Sequence, residues 1–239
     1  MGGSELSVDL PTPRKALTIG AHPDDAEYAA GGTLAKWARG GCEVSMIVLT
    51  DGSKGSWDLA VTPGQLSKTR ELEQRRSFET LGATGELVML GHPDGHLDAS
   101  PSPRETLCLW IRRLRPDVVL THDPWRRYEM HSDHRAAGWA AVDAVVAARD
   151  HLFYPEQLGD GLSKHRPRNI MLWNVDEPDH WEDVSGSIDI KARALKCHES
   201  QMLTTPVPPG ELDRVLKGRA AASAPNGLEL AEAFKLLVP

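Results

Sequence analysis

The sequence predicts an α/β fold, a Rossmann-like and mostly parallel sheet flanked by helices, with the active site at the carboxyl ends of the strands. Three observations point there. Short apolar runs alternate with amphipathic segments, the rhythm of βαβ units. The chain has 239 residues, which fit one large domain over 1–239 better than two small ones. Polar clusters at 22–25, 51–57, 92–98 and 122–134 each follow the end of a predicted strand. Open α/β sheets gather their ligands at such ends.

Residues 1–14 are polar and proline-containing, lack the apolar segment of a secretory signal, and are expected to be flexible. The first strand is 16–21. A helix follows over 32–39, stopped by Gly40-Gly41. Residues 44–50 form the second strand. The segment 51–64, rich in Gly, Ser and Pro, is long for a loop in a compact domain and is a candidate binding loop. Residues 65–81 have the charge density and period of an exposed helix ended by Gly82. A third strand over 87–90 leads into Gly91-His92-Pro93-Asp94-Gly95-His96. Helix 104–114 is separated by Pro116 from strand 118–121. The polar loop 122–133 precedes an Ala-rich helix over 135–149, and 170–175 is a fifth strand. Beyond it the pattern suggests a strand at 188–190, a helix over 191–201, an interruption at Pro206-Val207-Pro208-Pro209-Gly210 and a terminal helix over 228–237.

Composition excludes several classes. Lys plus Arg is 27 and Asp plus Glu is 34, a formal charge of −7. That balance, without a dense basic stripe, argues against a nucleic-acid binder. The most basic patch, Arg112-Arg113-Leu114-Arg115, reads as a solvated helix end. Cys42, Cys108 and Cys197 lack C-x-x-C spacing and are too few for a disulfide framework, so free thiols in a reducing cytoplasm are expected. No apolar run approaches the ~20 residues of a membrane-spanning helix. The expectation is a soluble cytoplasmic protein with no nucleic-acid or membrane partner, as a monomer or a homo-oligomer.

His22-Pro23-Asp24-Asp25 carries the chemistry. Like charges that close are costly unless a cation or a proton neutralises them. A turn accounts for Pro23 and one Asp, but not for a histidine beside two acids at a strand's end. The adjacent carboxylates cannot point the same way; one can bind an ion with His22 while the other faces the substrate. His131-Ser132-Asp133-His134 offers the missing ligand. Asp133 can cap the helix that begins near Arg135, so that His134 projects from its first turn and His131 sits nearby without ligating. A His/Asp/His set with an open position describes a catalytic zinc site rather than a closed structural one.

Other clusters are weaker. His92-Pro93-Asp94 lacks the second acid and reads as a substrate-facing turn. His122-Asp123-Pro124 reads either as a support of the metal site or as a satisfied turn. Trp57 and Trp125 lie in rim loops, where a flat face can pack a sugar ring or be partly buried. Trp37, Trp110, Trp139 and Trp173 fall in regular segments and read as packing residues. Gly31-Gly32 lacks the spacing of a dinucleotide fingerprint.

Ala-His-Pro-Asp-Asp-Ala-Glu at 21–27, with the distal His-Ser-Asp-His at 131–134, resembles the PIG-L/LmbE-like family of zinc-dependent N-acetylglucosaminide deacetylases. Further echoes are Gly31-Gly32-Thr33-Leu34, Thr50-Asp51-Gly52, Arg70-x-x-Glu73, Pro116-Asp117-Val118-Val119 and His198-Glu199-Ser200-Gln201. The resemblance runs from Ala16 to Gln201, and 204–239 match no family pattern. It implies one Zn2+ per chain held by His22, Asp25 and His134, although a His/Asp set can also accept Fe2+ or Co2+. It implies Asp24 as general base, His131 as the group that stabilises the oxyanion or protonates the leaving amine, and Asp133 as the residue that tunes His131. Arg70 and Asp94 match substrate-contacting positions, and Trp57 is a further candidate contact. Ser132 stands where the family often has proline, and Cys197 where it often has a small residue.

The implied reaction is removal of an N-acetyl group from an N-acetylglucosamine-containing small molecule or glycoconjugate. An amidase that cleaves a larger acyl group from an aminosugar, as in mycothiol conjugates, would keep the same metal site. A metal-dependent phosphoesterase would need ligands for a second metal, and a non-catalytic binding module would have no use for Asp24.

Overall fold

The apolar runs pair into one sheet. The computed structural model describes residues 7–98, 100–159, 161–204, 208 and 210–239. Among them the strands are β1 (Ser7–Val8), β2 (Lys15–Gly20), β3 (Glu43–Thr50), β4 (Leu87–His92), β5 (Val118–His122), β6 (Asn169–Trp173), β7 (His180–Asp183) and β8 (Ala231–Leu237). Their order across the sheet is β1-β7-β8-β6-β5-β2-β3-β4. β8 alone runs antiparallel to its neighbours, β6 and β7; the other pairings are parallel.

Helices cover both faces: α1 (Asp25–Arg39), α2 (Pro63–Thr80), α3 (Pro101–Leu114), α4 (Ser132–Ala148), α5 (Ile188–Lys196), α6 (Glu199–Thr204) and α7 (Glu211–Ser223). Alternation along the strands explains the two layers. Leu17, Ile19, Val119 and Ile170 point to one side and pack with Leu107 and Ile111 of α3 and the alanines of α4. Ala16, Val118, Leu120 and Met171 point to the other, against Leu34 and Trp37 of α1 and Phe78 of α2.

The centre of the sheet matches the expectation; its margins do not. α1 starts at Asp25 rather than near residue 32 and runs through Gly31 and Gly32. Those glycines let α1 approach its neighbours, since a Cβ on Gly32 would lie 2.7 Å from Val184 Cγ1. A capping box between Thr62 and Gln65 starts α2 at Pro63. The expected strand at 188–190 is instead the first turn of α5, and the expected helix over 191–201 is divided between α5 and α6. The expected terminal helix over 228–237 is strand β8. Its Ala-Glu-Ala start favours helix, but β6 and β7 both offer it ladder partners, and tertiary pairing overrides local propensity. β7 and α7 had no counterpart in the pattern. Of the segment expected to be flexible, residues 1–6 lie outside the described residues, whereas Ser7 and Val8 pair with β7. Most of the Pro206–Gly210 interruption also lies outside them.

One further expectation fails. Arg112 is fully buried rather than solvated. Its guanidinium donates to the carbonyls of Ala147, Ala148, Asp150, Phe153 and Tyr154 and to Gln157 Oε1. It thereby ties the end of α3 to the last turn of α4 and to the segment that follows it. Among the described residues no helix is long and apolar enough to cross a membrane.

Candidate active site

The chain order reverses between β2 and β5, which lie side by side although β3 and β4 separate them in sequence. Such a switch point opens a crevice at the carboxyl ends of the strands. Here β2 runs into His22-Pro23-Asp24-Asp25 and β5 ends on His122.

Asp25 is the hub. Its Oδ2 accepts the His22 backbone N–H at 2.7 Å, which closes the turn. The same oxygen lies 3.1 Å from His122 Nε2 and 3.6 Å from His22 Nδ1, and Oδ1 lies 3.4 Å from His134 Nε2. His22 turns its other nitrogen, Nε2, to Asp94 Oδ1 at 3.2 Å and Asp133 Oδ2 at 3.3 Å. The ring of His131 lies 4.5 Å from those of His22 and His134. A cleft of about 420 Å³ is lined by His22, Asp24, Asp25, Arg70, Asp94, His131 and His134.

The charges in this cleft ask for a cation. Burial disfavours a charged His22, yet hydrogen bonding to Asp133, Asp25 and Asp94 outweighs it and pushes the imidazole up to about 11. Burial likewise opposes ionisation of Asp25, but His122, His134 and His22 hold its carboxyl well below the usual range. Asp94 is pulled to about 2, because His22 and the Lys54 backbone N–H overcome its burial. A divalent ion answers the same demand, and the donor set of imidazoles and a carboxylate suits one. Among the described residues three groups could hold an ion: His22 with His131 and His134, Asp25 with His122 and His134, and His22 with Asp94 and Asp133. The sequence-derived trio of His22, Asp25 and His134 spans the first two.

Asp24 is set apart. It takes a left-handed backbone, φ 96° and ψ −21°, and its side chain makes no capping bond to α1. Burial pushes its carboxyl up to about 6, with Arg70 pulling it down and Asp25 pushing it up. Arg70 Nη2 lies 3.3 Å from Asp24 Oδ2.

Several expectations need restating. Asp133 does not cap α4, because His131 occupies that position. Its carboxylate instead accepts the N–H groups of Gly95 and Leu97 and faces His22, and its charge also acts on His131. Arg70 is buried beneath Asp24, where its guanidinium also donates to Gly52 O and Pro23 O. Trp57 is 85% exposed and does not line the cleft. Trp125 packs edge-on against Trp139, ring centroids 5.0 Å apart. His122, read as either support or turn, is part of the cluster. Sequence reasoning missed Glu129, whose Oε1 accepts the His131 N–H and lies 3.7 Å from His134 Nδ1. It also missed Lys54 in the cleft wall. Its position in the long loop after β3 was the available signal.

Residues 17–145 match the family model described as PIG-L: GlcNAc-PI de-N-acetylase. The chain is 36% identical over 188 residues to the diacetylchitobiose deacetylase of Thermococcus kodakarensis, covering 79% of this chain and 70% of that protein. It is 28% identical over 253 residues to the 1D-myo-inositol 2-acetamido-2-deoxy-alpha-D-glucopyranoside deacetylase of Rhodococcus erythropolis, covering 81% and 83%. The solved N,N'-diacetylchitobiose deacetylase of Pyrococcus horikoshii superposes with a TM-score of 0.87 at 29% identity, over 95% of this chain and 84% of that one.

Proposed function

This chain belongs to the PIG-L family of GlcNAc-PI de-N-acetylases, and on that premise we propose that it is a zinc-dependent hydrolase that removes the N-acetyl group from an N-acetylglucosamine-containing small molecule. The observation that carries the proposal is one cleft into which His22, Asp25 and His134 converge and onto which Asp24 opens without joining their cluster.

His22, through Nδ1, Asp25 and His134, through Nε2, would hold the ion. When bound, it lowers the pKa of a water to ~7 and polarises the amide carbonyl. The chain's own residues supply the rest. Arg70 engages Asp24 Oδ2, which leaves Oδ1 for proton transfer. With its carboxyl raised to about 6 by burial, Asp24 can accept a proton near neutral pH and return it to the departing amine. Burial and the neighbouring His22 and His134 push His131 below its usual range, so it acts as a neutral N–H donor to the developing oxyanion rather than as the acid. The His22 Nε2–H donates to Asp94 or Asp133, which fixes the tautomer that would leave Nδ1 to hold the ion.

The test is a mass-spectrometric screen of N-acetylated aminosugars, diacetylchitobiose and N-acetylglucosaminyl inositol included, with and without a chelator. Chelator-sensitive loss of one acetyl group is expected. Cleavage of bulkier N-acyl conjugates with no acetate release would point instead to an amidase. No hydrolysis of either class by zinc-loaded protein would sink the proposal.

A further inference from the structure

α2 buries a polar stripe. Arg70, Glu73, Gln74 and Ser77 are all at most 3% exposed, and their spacing places them on one helical face. Helices ordinarily turn an apolar face inward, and buried polar groups require partners. Glu73 bonds the Ser200 N–H and hydroxyl, both at 2.7 Å, and so moors α2 to α6. Arg70 and Gln74 converge on one peptide of the turn after β2. Arg70 Nη2 donates to Pro23 O at 2.5 Å, and the Asp24 N–H donates to Gln74 Oε1 at 3.0 Å. Gln74 has its amide orientation fixed, because Nε2 donates to Glu27 Oε1 at 2.5 Å and the Ser77 hydroxyl donates to the same oxygen at 2.8 Å.

That peptide needs holding. Asp24 has φ 96°, in a region that L residues rarely adopt. An Asp immediately before a helix ordinarily takes an extended backbone and spends its carboxylate on the helix N–H groups. The left-handed backbone prevents this, and Asp24 caps nothing. We propose that Arg70 and Gln74 are positioning residues: together, with Glu27 and Ser77 behind Gln74, they clamp the Pro23–Asp24 peptide in its left-handed conformation and so aim the Asp24 carboxylate into the cleft instead of onto α1. The catalytic meaning of the clamp rests on the deacetylase reading; the clamp itself does not.

Two measurements test it, the second without any substrate. In zinc-loaded enzyme, Gln74→Met is expected to lower kcat by ~10-fold or more, with KM within about twofold and the metal content of the parent. Parent-like turnover, or loss of the metal, overturns the clamp as a positioning device. In the second, Asp24→Gly and Asp24→Ala are melted in the parent and in the Gln74→Met background. Glycine accepts a positive φ and alanine does not, so Asp24→Gly should melt several degrees above Asp24→Ala in the parent. That gap should shrink when Gln74 is Met, since the released turn relaxes. An equal gap in both backgrounds, or none in the parent, overturns the proposal. Should the parent hydrolyse no N-acyl aminosugar, the functional reading falls while the melting cycle still decides the clamp.

Discussion

Asp24 and Asp25 are neighbours in the chain with opposite electrostatic fates. Asp25, ringed by His122, His134 and His22, stays ionised far into acid, whereas burial raises Asp24 to about 6. Groups pushed apart in this way divide into ligand and base. Replacing the base by its amide leaves the ligands in place. Asp24→Asn is therefore expected to keep the metal content of the parent and lose ~100-fold or more in kcat; metal analysis beside a turnover assay checks both. A base works only when ionised, so kcat/KM should rise with pH through an acid limb at or below about 6, since a bound cation can only lower the Asp24 pKa further. Removing the Arg70 guanidinium, which favours the carboxylate, should move that limb upward in Arg70→Met, as a pH–rate profile would show. The residues around this pair were unequally legible in the sequence. His22, Asp24 and Asp25 sit in a tight motif at the end of an apolar run, and His134 in a second tight motif at the start of a helix. Gln74 and Glu129 carry no motif, and only the packing of α2 and of the loop after β5 brings them to the site.

The elements differ in how they are terminated. α4 ends on Ala148, where backbone N–H groups of Asp150 and His165 reach the carbonyls of Ala147 and Ala148, and Arg112 of α3 adds a second donor to each. In the sequence Arg112 stood in a basic run indistinguishable from a solvated helix end, because charge alone does not say which face a helix buries. Arg112→Met keeps much of the volume but removes a fully buried guanidinium and takes the donor from the part-buried carbonyls of Asp150 and Phe153. A loss of about 3 kcal/mol is expected, at the upper end for single substitutions, and urea unfolding would measure it. Arg113 lies one position on and stacks its guanidinium 4.9 Å from the Trp110 ring. As a surface contact it should cost below ~1 kcal/mol when removed, so comparing the two arginines separates a terminator from a solvated charge.

At the scale of the molecule, one ion pair ties the late strands to the site. Lys191 of α5 and Glu232 of β8 are buried and 2.6 Å apart, and Glu232 also accepts the backbone N–H groups of Gly32 and Thr33 in α1. α1 is the helix whose first turn carries Asp25. Breaking a buried pair leaves an uncompensated charge. Lys191→Met is expected to cost about 3 kcal/mol, and the double variant Lys191→Met/Glu232→Gln to recover part of it, by chemical denaturation of both. The central strands β2, β3, β5 and β6 were legible because each is a predominantly apolar run. β7 and β8 were not, because His180-Trp181-Glu182-Asp183 and Ala231-Glu232-Ala233 are strands by virtue of their partners, with polar residues that pair with the half-buried Lys36 and the buried Lys191. β8 carries a further consequence. It joins β6 to β7 and yet follows both in the chain, so on the ribosome the sheet cannot close until its latest strand has emerged. The residues around Asp25 would emerge long before the strand that locks their helix. The site should accordingly be completed late, in a step set by contacts of high sequence separation.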